Sequence, residues 1–166
     1  ILSIKRPARI LEVGTAVGFS AILMAEYNPI PCEITTIENY EKRIPIAKQN
    51  FVRAGKEKQI TLLEGDAADI LKELREPFDF IFMDAAKGQY IHFMPDILRL
   101  LKPEGLLVSD NVLQDGDIIE SHFIVTRRNR TIHKRMREYL YALTHSEELV
   151  TSVLPIGDGV TVSVRK

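Results

Sequence analysis

"ELVTSVLPIGDGVTVSVRK", residues 148–166, is the stretch on which the fold turns. Two runs rich in Val flank the short "IGD" (156–158), so the segment reads as an antiparallel hairpin. Everything upstream follows another pattern. "ARILEV" (8–13), "EITTI" (33–37), "ITLLEG" (60–65), "FDFIFM" (78–83) and "GLLVSD" (105–110) are strand candidates. The run 80–83 is apolar without alternation, as in a strand of a parallel sheet buried on both faces. Helical stretches lie between these strands, at 18–27, through Ala47 and Phe51, at 67–74 and at 91–101. Pro45 suits the first turn of the second, since a proline deeper inside would break it. "LKPEG" (101–105) stops the fourth by its Pro and Gly, and a polar, basic helix at 126–144 leads into the hairpin. The alternation implies an α/β fold with a largely parallel sheet, closed by an antiparallel hairpin.

Bulk properties bound the function. The 166 residues suit one domain spanning 1–166, with 45% hydrophobic and 27% charged residues, an ordinary globular balance. A formal charge of −1 gives no global attraction to nucleic acid or membrane, so such binding needs a local patch. One cysteine, Cys32, excludes an internal disulfide framework and fits a reducing cytosol, so a cytoplasmic location is expected. No apolar run is long enough to span a bilayer, and no membrane partner is expected. The chain opens Ile1-Leu2-Ser3 without an initiator Met, so a native N-terminal segment is expected to precede it, and a leader stays open.

Several constellations could carry chemistry. "LEVGTAVGFS" (11–20) puts Gly14 and Gly18 between the first strand and first helix, where a ligand could meet a helix N-terminus. Ala16 stands where the dinucleotide fingerprint needs a glycine, which argues against a dehydrogenase. Spacing alone also fits a plain tight connection. Glu38, 24 positions after Gly14, stands where doubly wound folds bind ribose hydroxyls, or it is a first-turn acid. Asp66, in "EGDAAD" (64–69), is an N-cap or a ligand contact.

Asp84 ends an apolar strand, and "SDN" (109–111) places Asp110 and Asn111 on the same sheet edge. Two carboxylates and an amide oxygen form a hard donor set suited to Mg²⁺, Mn²⁺ or Ca²⁺. Separate caps and turns are the alternative. Lys87, three residues on, could reach that pocket, where beside a dication a neutral amine is favoured and can act as a base; from sequence alone an ordinary solvated lysine is the favoured reading. "RRNRTIHKRMR" (127–137) holds six Lys/Arg and no acid, a solvated face or a phosphate-binding patch carried by Arg127, Arg128, Arg130, Lys134 and Arg135. The four histidines are scattered and form no metal pattern.

Taken in order, "LEVGTAVGFSA", Glu38, "GDA", "MDAAKGQY", "SDN" and the terminal hairpin resemble the cation-dependent S-adenosylmethionine O-methyltransferases, the catechol and caffeoyl-CoA group with its bacterial relatives. The glycine turn of that family commonly lacks the middle glycine, as Ala16 does here. The resemblance implies a Rossmann-like class I methyltransferase, with a seven-stranded, mostly parallel sheet, an antiparallel last strand and helices on both faces. It implies S-adenosylmethionine contacts at Glu12, Gly14, Gly18, Ser20, Asp84 and Tyr90, ribose on Glu38, and adenine beside Asp66 and Ala67. It also implies a divalent cation, commonly Mg²⁺, on Asp84, Asp110 and Asn111, with Lys87 and Asp84 catalytic, and a homodimer. "DAAKGQY", "SDNVLQDG", "HKRMREY" and "PIGDG" look most like a bacterial branch that methylates 5-hydroxyuridine at the tRNA wobble position. That reading makes the anticodon loop the partner and the basic helix its phosphate contact. A small catechol-type or caffeoyl-CoA-like phenol is the alternative acceptor, and the carboxylate that orients catechols in animal relatives has no secure counterpart. A non-catalytic adenosylmethionine- or RNA-binding domain is disfavoured by the joint presence of Asp84, Lys87, Asp110 and Asn111.

Overall fold

The computed structural model describes residues 1–113, 118 and 130–166. Its strands are β1 (Arg9–Val13), β2 (Glu33–Glu38), β3 (Ile60–Glu64), β4 (Phe78–Met83), β5 (Leu101–Ser109), β6 (Leu149–Leu154) and β7 (Val160–Arg165). They form one seven-stranded sheet in the order β3-β2-β1-β4-β5-β7-β6. β1 to β5 pair in parallel, and β7 runs antiparallel to both β5 and β6. The hairpin read from 148–166 is therefore present, with Gly157 and Gly159 at positive φ in its turn. Strand order reverses between β1 and β4, and sheets of this kind bind ligands at the carboxyl ends beside such a reversal.

The helices are α1 (Leu2–Lys5), α2 (Phe19–Tyr27), α3 (Ile44–Arg53), α4 (Ala67–Glu73), α5 (Tyr90–Leu100) and α6 (Arg130–His145). Successive residues of a buried strand feed opposite faces. Ile10, Ile34, Phe80, Leu106 and Val108 pack with Ala21, Met24, Ala47 and Phe51 of α2 and α3. Leu11, Val13, Ile81, Met83 and Leu107 pack on the other face, with Phe93, Ile97, Met136, Tyr139 and Leu143 of α5 and α6. Pro45 lies in the first turn of α3, as its missing N–H requires. The part of the basic helix expected at 126–129 falls outside the described residues.

One element departs from its sequence reading. β5 begins at Leu101, directly after α5, whereas "LKPEG" reads as a stop with the strand opening at 105. Leu101 pairs with Phe78 and Leu106 with Phe80, so "KPEG" bulges out between two paired positions. Pro103 has no N–H for the ladder, and Glu104 takes φ 60. The apolar Leu101 can still bury against β4, and this tertiary pairing overrides the local stop signal.

Candidate active site

The turn after β1 is built by close packing. Gly14 has φ 107, and a Cβ there would lie 2.0 Å from the carbonyl oxygen of Asp84. Gly18, at φ 86, leads into α2, and its Cβ would sit 2.4 Å from Cε1 of Phe51 on α3. Gly18 thus lacks a side chain because of helix–helix packing. Ala16 itself adopts φ 49, and its N–H donates to Oε2 of Glu38 at 2.8 Å. Glu38 ends β2 and is nearly buried, and its Oε1 accepts from the N–H groups of Asn39 (3.1 Å) and Tyr40 (2.9 Å). One carboxylate therefore ties the β1 turn to the β2 turn.

Glu12 is fully buried on β1 and accepts hydrogen bonds from Oγ of Ser20 and Oγ1 of Thr36. Thr36 also bonds the hydroxyl of Thr15 at 2.6 Å. Burial pushes the Glu12 carboxyl up to about 7; the Ser20 and Thr36 bonds oppose the rise, and the charges of Asp84 and Glu38 add to it.

Beside these turns opens a cavity of about 620 Å³, ample for a nucleoside-sized ligand. Gly14, Glu38, Asp66, Ala67 and Asp84 line it, whereas Glu12, Gly18, Ser20 and Tyr90 are not among its lining residues. Asp66 is the N-cap of α4, its Oδ1 accepting from Ala68 N–H at 2.8 Å, so it serves as cap and lining together. Tyr40 and Arg43 also line the cavity, the guanidinium 5.4 Å from the Tyr40 ring centre, and Gln89 and Phe93 close the opposite side. Sequence reasoning missed these four; the turn "ENYEKR" (38–43) directly after the ribose candidate was the available signal for the first two.

Asp84 and Asp110 follow the paired residues Met83 and Ser109 on neighbouring parallel strands, which brings both carboxylates to one edge. Backbone bonds Asp84 N–H to Val13 O (2.9 Å) and Asp110 N–H to Met83 O (3.0 Å) lock their order. Asp84 is exposed at the cavity mouth, yet partial enclosure of its carboxyl raises its proton affinity; Asp110's charge adds to this and Lys87's opposes it. Asn111 takes φ 59 and donates its N–H to Oδ1 of Asp110 at 2.7 Å. The next two N–H groups, of Val112 and Leu113, bond the carbonyls of Gly159 (3.0 Å) and Asp158 (2.8 Å) in the hairpin turn. The hairpin thereby braces the Asp110–Asn111 corner. No group of three or more His, Cys, Asp or Glu that could hold a metal ion occurs among the described residues, so a cation here would draw on the two carboxylates and on further oxygens from Asn111 or water. The crowding of two carboxylates fits that role.

Tyr90 is fully buried, its hydroxyl donating between the carbonyls of Met83 (3.1 Å) and Asp110 (3.2 Å), its ring edge-on to Tyr139 at 5.4 Å. It clamps the strand ends from within, and burial raises its phenol far above the ordinary range. Lys87 opens a 3-10 turn, Lys87–Gln89, between Asp84 and α5. Of the basic candidates, Arg127 and Arg128 lie outside the described residues. Arg130 begins α6, Lys134 is exposed and 3.8 Å from Glu138, and Arg135 donates from Nη1 to the carbonyl of Gly88 at 3.2 Å.

A family model described as O-methyltransferase matches residues 1–166. The chain belongs to the O-methyltransferase family. The chain is 40% identical over 117 residues to a catechol O-methyltransferase of Niastella koreensis, an alignment covering 68% of the chain and 53% of that relative. It is 30% identical over 171 residues to a caffeoyl-CoA O-methyltransferase of Populus kitakamiensis, covering 99% of the chain and 73% of the relative. An O-methyltransferase from Bacillus cereus, solved in complex with SAH, superposes with a TM-score of 0.88 at 28% identity, over 99% of this chain and 77% of that one. The chain thus spans about half the length of the first of these relatives and about three quarters of the others. No helix among the described residues is long and apolar enough to cross a membrane.

Proposed function

We propose that this chain carries the catalytic machinery of an S-adenosylmethionine- and divalent-cation-dependent O-methyltransferase whose acceptor is a hydroxyl with a second oxygen beside it, a catechol-type phenol first. The observation that carries the reading is one cavity running from the Glu38 carboxylate to Asp84, with Asp110 and Lys87 close enough to shift the Asp84 carboxyl. The SAH bound to the Bacillus cereus structure and the catechol and caffeoyl-CoA names of the relatives support the cofactor and the acceptor class.

S-adenosylmethionine supplies the electrophilic methyl. A divalent cation, Mg²⁺ first, supplies Lewis acidity that eases loss of the acceptor's proton. The residues do the rest. Glu38, already holding three backbone N–H groups, offers the remaining lone pair of Oε2 to a ribose hydroxyl. Asp84, Asp110 and the amide oxygen of Asn111 would hold the cation, and the Lys87 amine would take the acceptor proton and become ammonium. Fixing acceptor and donor in register at one sheet edge supplies much of the acceleration.

A second reading has one observation in its favour. α6 packs against the turn carrying Lys87, with Lys134 and Arg137 exposed on it, so a phosphate backbone could lie beside the site. That reading keeps 5-hydroxyuridine of a tRNA anticodon loop as acceptor, since its 5-hydroxyl and 4-carbonyl are neighbours as in a catechol. The deciding experiment supplies tritiated S-adenosylmethionine and Mg²⁺ with catechols in one arm and 5-hydroxyuridine-containing tRNA in the other. Label in catechols, lost with EDTA and in Asp110→Ala, is expected. Label in tRNA alone would replace the acceptor and keep the site; transfer undiminished by EDTA and by Asp110→Ala would overturn the cation assignment.

A further inference from the structure

We propose that Arg135 is a positioning residue for Lys87: its guanidinium, reaching from α6 to the carbonyl of Gly88, fixes the 3-10 turn that presents the lysine to Asp84. The inference rests on the O-methyltransferase reading above, which makes Lys87 the base.

The turn Lys87–Gln89 has little to hold its own shape. A single turn of 3-10 helix is weakly hydrogen-bonded. Here the backbone bond from Gln89 N–H to Ala86 O at 2.8 Å closes its start, and no side chain caps it. Its central residue is a glycine, which costs more entropy to order than any other. Support comes from α6. Nη1 of Arg135 donates to Gly88 O at 3.2 Å. A Cβ on Gly88 would lie 3.7 Å from Cγ1 of Ile132 and 4.0 Å from Cδ of Arg135, so both side chains rest on the turn. Residues 132 and 135 are three apart and share one flank of the helix. The anchor is itself secured elsewhere: His133, Met136, Tyr139 and Leu143 form the buried face of α6, and the Tyr139 hydroxyl bonds Oγ of Ser109 at 2.6 Å. Arg135 therefore ties the turn to α6, whose buried face is formed by other residues.

This places one residue of the basic stretch in the service of the reaction whatever the acceptor. A phosphate-binding arginine would matter for an RNA acceptor alone, whereas a positioning arginine matters equally for a small phenol.

The test compares Arg135→Met, which keeps the stem and removes the donors, with Arg135→Lys, which keeps one cationic donor. Each full chain is assayed with catechol, S-adenosylmethionine and Mg²⁺, titrated with SAH by calorimetry, and followed by hydrogen exchange over residues 86–90. Arg135→Met is expected to lower kcat roughly 10- to 100-fold, the scale of a misplaced catalytic group. SAH affinity and melting temperature stay close to wild type, exchange at the Gln89 amide rises, and Arg135→Lys recovers part of both effects. Unchanged kcat or unchanged exchange in Arg135→Met overturns the proposal, as does a loss of kcat matched by equal losses in SAH affinity and melting temperature. Where Arg135→Met does not fold, Arg135→Lys is read by the same criteria, its smaller fall in kcat and rise in exchange deciding. A wild-type chain that methylates neither catechol nor RNA would sink the functional reading, and exchange at Gln89 alone would then decide whether Arg135 holds the turn.

Discussion

Glu12→Gln isolates the cost of a carboxylate placed in the floor of the site. In the folded chain the Glu12 carboxyl is pushed up to about 7 from 4.5, with burial the largest cause. At about 1.4 kcal/mol for each tenfold change in proton affinity, the difference is about 3 kcal/mol. The folded state holds the proton more tightly than the unfolded state does. The resulting contribution to stability is fully present below pH 4.5 and is lost as pH rises through about 7. Gln never ionises, and the hydroxyls of Ser20 and Thr36 can rotate to suit its amide. Urea unfolding of wild type and variant at pH 5, 6, 7 and 8 reads the difference directly. Between pH 5 and 8 the variant should gain on wild type by up to about 3 kcal/mol, whatever its offset at pH 5. Because carboxylates common to both proteins largely cancel, the slope belongs mainly to Glu12. Parallel pH profiles would refute the reasoning, since they would mean that Glu12 is ionised throughout despite its burial.

Two further substitutions test the packing that builds the site. Gly14→Ala sets a Cβ 2.0 Å from the Asp84 carbonyl at φ 107, so the turn must part from β4; SAH binding measured by calorimetry should be lost and the melting temperature lowered. Gly159→Ala sets a Cβ 2.2 Å from Cγ of Leu113 at φ 82 and should cost roughly 1–3 kcal/mol in urea unfolding. Pairing it with Leu113→Ala should return part of that loss, and strict additivity of the two costs would show that they do not meet.

Local chemistry made much of this molecule readable. β4 lies inside a parallel sheet, so its residues 80–83 appear as a short apolar run, and the turn residues after Leu154 announce the hairpin. Asp66 before Ala67 is an N-cap by residue type, and the structure shows that bond. Asp84 and Asp110 could be placed on one edge because each ends a strand of the same parallel set. Other features had no local signal. The start of β5 at Leu101 depends on Phe78 as its partner, and Pro103 and Gly105 hid it. Tyr90 stands close to Lys87 in sequence, yet its hydroxyl points inward to the ends of β4 and β5.

The order of strands and helices, the edge that carries the acids and the family resemblance are properties of the sequence, because periodicity, turn chemistry and strand ends are encoded over a few neighbouring residues. The partners that give those residues their roles are set by tertiary packing. Gly18 meets Phe51, Gly159 meets Leu113, Glu12 is sealed under Thr36, and Arg135 reaches Gly88 across 47 positions. Such contacts form when separate elements bury their apolar faces against one sheet, and no short window of sequence contains both members of the pair.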